Sequence, residues 1–74
     1  MFTVIHFNRI TGKWHVETEG RKGEETLWTA DQGTATSLAE GYTRNKFQAR
    51  VLPAEGVTVI LDKFMAPYVE YAGS

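Results

Sequence analysis

Seventy-four residues, 42% of them apolar and 23% charged, suffice for one small domain, since compact domains seldom run below about 50 residues. The chain has no cysteine, which excludes a disulfide framework, thiol catalysis and every thiolate metal site. Eight basic residues against nine acidic ones give a net charge of -1, a poor balance for a protein built around nucleic-acid phosphates or anionic lipid.

A chain of this size buries roughly 60% of the surface its unfolded form exposes, so association with a second copy is an expectation from size alone. No stretch approaches the ~20 apolar residues of a membrane span. The opening residues lack the basic region of a signal peptide, and the cysteine-free composition fits a reducing compartment, so a cytoplasmic protein without a membrane partner is expected.

Residues 2–7 are β-rich and stop at a polar segment ending in Gly12, which tolerates positive φ. Residues 13–19 alternate strictly, with Trp14 and Val16 on one face and His15, Glu17 and Glu19 on the other. A four-residue loop, 9–12, then sets Phe7 across from Trp14, Ile5 from Val16 and Thr3 from Thr18. A slip of one residue would pair Trp14 and Val16 with Asn8 and His6, a poorer core, so the pattern selects the register. Gly20 and Gly23 bound a second turn, and a third strand is expected over 24–29, carrying Leu27 and Trp28.

Asp31 offers a side-chain oxygen to the first turn of a helix expected over 32–46, with Ala35, Leu38, Ala39 and Tyr42 on its inner face. The stripe is narrow and Gly41 lies within it, which predicts close contact with the sheet there. Asn45, Arg44 and Lys46 suit the helix end. Residues 49–52 and 57–61 read as fourth and fifth strands joined through Pro53 and Gly56, a closing hairpin. The expected fold is therefore α+β in the order βββαββ, an antiparallel or mixed sheet with one helix on one face. A single domain over 1–63 is followed by a tail, 64–74, read from Pro67 and the final Ala-Gly-Ser as loosely held or docked on a neighbour.

The run from Trp14 to Lys22, the helix with Ala35 and Ala39 and the Gly56-bounded final hairpin resemble a family of short bacterial domains of unknown function. The resemblance spans residues 3–62 and implies this fold but no activity. The βββα stretch also resembles the arm-type DNA-binding domain of tyrosine recombinases, which would make Lys13, Arg21 and Lys22 the nucleic-acid contacts. Glu17, Glu19, Glu24 and Glu25 on the same strands depart from that pattern.

Chemistry is sparse. His6 and His15 fall opposite one another with Glu17 on the same face, the one set of residues with the donor types of an open zinc site, although solvent-face histidines also pair by chance. Adjacent Glu24 and Glu25 point to opposite faces of a strand, and neither a nucleophile elbow nor a phosphate-cradling loop is present. The expectation is a protein without catalysis or cofactor. Nine aromatic residues exceed what a sheet with one covered face readily hides. Trp28, Phe64, Tyr68 and Tyr71 are therefore either a binding surface for an unknown protein or a second copy, giving an interaction module, or, with the tail folded back, a cover for the open face of their own sheet; the β-rich edge 57–61 could add to a partner strand. A nucleic-acid-binding module is the alternative, which the charge balance disfavours.

Overall fold

The computed structural model describes residues 1–19 and 26–72. Strands β1 (Phe2–Asn8) and β2 (Lys13–Val16) precede helix α1 (Gln32–Arg44), and β3 (Ala49–Pro53), a short 3-10 turn (Ala54–Gly56), β4 (Ile60–Asp62) and β5 (Met65–Val69) follow it. All pairings are antiparallel, in one sheet of order β3-β1-β2-β5-β4. The α+β class, with five strands and one helix, is as expected.

The first hairpin has the register that its alternation dictates: Ile5 pairs with Val16, His6 with His15 and Phe7 with Trp14. Asn8 closes the turn, its side-chain oxygen accepting from the N–H groups of Ile10 and Thr11, and Gly12 takes φ 70°. The pairing does not extend to Thr3 and Thr18. On that side the last bond runs from the Glu17 N–H to the Val4 carbonyl; Thr3 pairs on the other side of β1 with Leu52 of β3, and Thr18 bridges to Leu27.

Three expectations need correction. The third strand before the helix is present but cut short: within the described residues its bridges at Leu27 and Ala30 are flanked by bonds from the Glu19 N–H to the Thr26 carbonyl, from the Trp28 N–H to the Glu17 carbonyl and between Phe2 and Ala30 in both directions, and of the five strands of the sheet two precede α1 and three follow it. The closing hairpin does not form: β3 pairs with β1 and β4 with β5, at opposite edges of the sheet. Val57 and Val59, expected in a strand, pack against the core cluster of Ile5, Trp14, Val16 and Val69 instead.

The boundary after residue 63 fails for a related reason. Met65–Val69 is strand β5, which lies between β2 and β4 inside the sheet. Proline is normally unwelcome in an inner strand because it lacks a ladder donor. Here Ile60 pairs with Tyr68 and Asp62 with Met65, so Leu61 alone opposes both Ala66 and Pro67, and Pro67 occupies a β-bulge that leaves the ladder open at that point.

Helix α1 begins and ends on strong local signals. The Asp31 carboxylate accepts from the Thr34 N–H and hydroxyl. At the other end Lys46 donates to the Thr43 carbonyl and Phe47 to the Tyr42 carbonyl, a Schellman pattern with Lys46 left-handed at φ 68°. The accompanying apolar contact is Phe47 edge-on to Tyr42, with ring centroids 6.2 Å apart. Gly41 is not a contact with the sheet: a Cβ there would meet only the Arg44 side chain, at 3.8 Å.

The two faces of the sheet are covered differently. Ile5, Trp14, Val16 and Val69 form the apolar face, packed by Val57, Val59, Leu27, Leu52 and Tyr71. The opposite face carries His6, His15 and Glu17 and is covered by α1, which lies over β1 and β3. The histidine face, expected to meet solvent, is thus the helix-covered one.

Candidate interaction surface

Two groups of side chains on or beside the histidine face stand out, one polar and enclosed, the other apolar and exposed. In the first, His6 on β1 stacks on Tyr42 of α1 with ring centroids 4.4 Å apart and planes 13° from parallel. Its Nε2 lies 3.4 Å from the Glu17 carboxylate, which also accepts the Tyr42 hydroxyl. Burial holds the His6 imidazole below its ordinary value, against the opposing pull of Glu17, and the neighbouring His15 adds to the lowering. Burial pushes the Tyr42 phenol well above its ordinary value, and the bond to Glu17 and that residue's charge push the same way. Tyr42 therefore keeps its proton and acts as a donor.

His15, directly across from His6, is 4% exposed. Its Nδ1 lies 3.1 Å and 3.2 Å from the Ala66 and Pro67 carbonyls, which can only accept, so Nδ1 carries a proton. Its Nε2 lies 2.7 Å from the Thr11 hydroxyl. Both ring nitrogens are committed to holding the first turn and the β5 bulge onto β2. The sequence places His6, His15 and Glu17 on one face as expected, with the two imidazole rings 6.3 Å apart and Glu17 beside His6. Among the described residues no group of three His, Asp or Glu side chains is disposed to hold a metal ion.

The expected aromatic surface divides. Tyr71 is half-buried and edge-on to Trp14, with centroids 5.0 Å apart. Tyr68 is half-buried against His15 and beneath the Lys13 ammonium, and Trp28 is half-buried. Phe64 alone of the four is open, at 82% exposure. Of the basic residues expected to meet nucleic acid, Arg21 and Lys22 lie outside the described residues, as does the turn at 20–23, and Lys13 is exposed with its ammonium 5.2 Å from the Tyr68 ring centre.

The second group is the β4–β5 hairpin itself. Its turn is built by the Asp62 carboxylate, which accepts from the Phe64 N–H at 2.7 Å, so Phe64 projects at the tip. Leu61, three residues earlier on the edge strand, is 76% exposed. The sequence marked 57–61 as a β-rich edge able to add to a partner strand but did not single out Leu61 within it. Phe64 and Met65 also wall one side of a shallow cleft of about 440 Å³ whose floor includes His6, Thr11 and Glu17, so the apolar tip adjoins the polar network.

No protein-family model, no curated protein and no solved structure matches this chain. The functional reading therefore rests on the geometry of the chain itself.

Proposed function

We propose that this chain is a non-catalytic interaction module whose contact surface is the β4–β5 hairpin. The observation that carries the reading is the pairing of two large exposed apolar side chains, Leu61 and Phe64, on a single short hairpin at the sheet edge. Exposed apolar residues scattered singly need no explanation, whereas two together beside an unpaired strand edge form a surface suited to a partner. The histidine network supports the absence of catalysis in this reading, because its hydroxyl, imidazole and carboxylate groups are engaged with one another in holding the helix and β5 in place.

The test is a photoreactive phenylalanine analogue at position 64, with the same label at the half-exposed Phe47 as comparator. Irradiation in extract of the producing cells is expected to give discrete adducts from position 64 only. Excess unlabelled wild-type chain should suppress them, and excess chain carrying Leu61→Ser and Phe64→Ser should not. Equal labelling from both positions, or equal competition by both chains, defeats the proposal.

A further inference from the structure

The net charge of -1 conceals an uneven distribution. Residues 6–16 and 41–54 contain five of the eight basic residues, Arg9, Lys13, Arg44, Lys46 and Arg50, and no acidic one. The fold brings these two segments together at one end of the sheet, where His6 pairs with Ala49 and the Phe7 N–H donates to the Gln48 carbonyl at 2.9 Å. There Arg9, from the β1–β2 turn, and Lys46, just past the end of α1, line a cleft of about 100 Å³ together with Phe7, Phe47 and Gln48. We propose that this cleft binds a mononucleotide, with its phosphate between Arg9 and Lys46 and its base against Phe47. The site is separate from the β4–β5 hairpin and does not rest on it.

Three observations point to this class of ligand. Arg9 and Lys46 are exposed, and among the described residues neither has an acidic partner, since the ion pairs join His6 to Glu17 and the N-terminal ammonium to Glu55. Two cations lining one small cleft repel each other, and a phosphate dianion reverses that repulsion while matching the guanidinium fork. Second, Lys46 sits at φ 68°, in the left-handed region normally left to glycine at a helix end. The helix dipole favours a cation here but does not favour a left-handed backbone for it, so the strain falls on a residue that supplies charge to the cleft. Third, the cleft has room for a phosphate group but not for a whole nucleotide, and the ring beside it, Phe47, is 49% exposed and braced edge-on by Tyr42. Such a ring is a platform for a base. The surrounding negative groups are engaged or displaced: the carbonyls of Gly41, Tyr42 and Thr43 accept from Asn45, Phe47 and Lys46, Glu17 is held by Tyr42 and His6, Glu40 lies one turn before Arg44, and Glu70 lines a different cleft with Lys13.

The test is an amide NMR titration of the full chain at low salt with adenosine 5′-monophosphate as the probe. The amides of Arg9, Ile10, Lys46, Phe47 and Gln48 are expected to shift, and the shifts to fade as salt rises. Inorganic phosphate should move the same amides with lower affinity, and adenosine should move none. Arg9→Gln should weaken binding of the nucleotide by at least about tenfold. Lys46→Gly should weaken it comparably while raising the thermal midpoint, because glycine relieves the left-handed backbone, and this opposite movement separates loss of the site from loss of the fold. Silence of these amides at low salt, unchanged affinity in both variants, or phosphate binding as tightly as the nucleotide overturns the proposal. Tighter binding of a single-stranded oligonucleotide that lacks a terminal phosphate overturns it in favour of a polymer. A nucleotide is too small to give an adduct of altered size at position 47, so the hairpin is tested independently of this cleft.

Discussion

The two faces of this sheet are held by different physics. On one, Ile5, Trp14, Val16 and Val69 are buried by irregular chain, chiefly Val57 and Val59, and cohesion is apolar and non-directional. On the other, a regular helix packs Ala35 over a face where Val4 is also fully buried, and is further fixed by the stacking of Tyr42 on His6 and the bond from the Tyr42 hydroxyl to Glu17. Regular structure thus covers the face that carries the histidine network, and irregular structure the face packed around Trp14. A loop suffices where side chains need only exclude water, whereas a directional polar network needs partners on a rigid frame.

That contrast orders the expected effects of substitution. Trp14→Ala strikes the apolar face, where the ring meets Phe7 and Tyr71, and should cost about 3–5 kcal/mol. Since a chain of this length has a total stability of roughly 4–11 kcal/mol, urea denaturation should find that this variant has lost about half of its stability, with a correspondingly lower midpoint. Tyr42→Phe strikes the other face. It keeps the stack on His6 but removes the hydroxyl from Glu17, and should lower stability by about 1 kcal/mol. A Tyr42→Phe loss equal to that of Trp14→Ala would erase the distinction between the faces.

Proton linkage sharpens the comparison, because both shifted groups of the network lie on the helix-covered face. His6 binds its proton less readily folded than unfolded, so stability should decline as pH falls through and below 6.5. His6→Gln should flatten that decline. Tyr42 releases its proton less readily folded than unfolded, so its contribution is complete below pH 10 and is lost as pH rises above it. Tyr42→Phe should flatten this second limb, as read by urea midpoints from pH 8 to 11.

The smallest effect concerns the helix away from the sheet. Gly41→Ala introduces a Cβ whose nearest neighbour is an ordinary 3.8 Å contact with the Arg44 side chain. It should stabilise the fold by about 0.5 kcal/mol through helix propensity. Destabilisation in thermal melts would mean that helix and sheet approach more closely there than the structure has them.

What could be read in advance was local. Alternation in residues 13–19 and the polar loop 9–12 set the first hairpin to the residue, because a slip would have inverted both faces. Asp31 and Asn45 marked the helix ends for equally local reasons. Pairings between distant segments were not legible. Pro67 read as a strand breaker, since the bulge that accommodates it exists only once Leu61 opposes it from another strand. The 49–52 and 57–61 segments looked like a hairpin because they are near in sequence, yet each finds its partner elsewhere. For the site, the proximity of His6, His15 and Glu17 was legible from register, but their burial depended on which face the helix chose. Phe64 was singled out from its position beyond the expected core. Leu61 was read only as part of a β-rich edge over 57–61, because which residue of that segment meets solvent is a property of the whole sheet.

The placement of β5 has a consequence for the chain while it is being made. β2 is complete by Val16, yet its outer neighbour is supplied by Met65–Val69, and the two are also tied by His15 to the Pro67 carbonyl. Until those late residues leave the ribosome, the growing polypeptide carries an open strand edge beside Trp14. Synthesis therefore passes through an interval in which a large core ring lies beside an edge open to misassociation, and the arrival of β5 ends it.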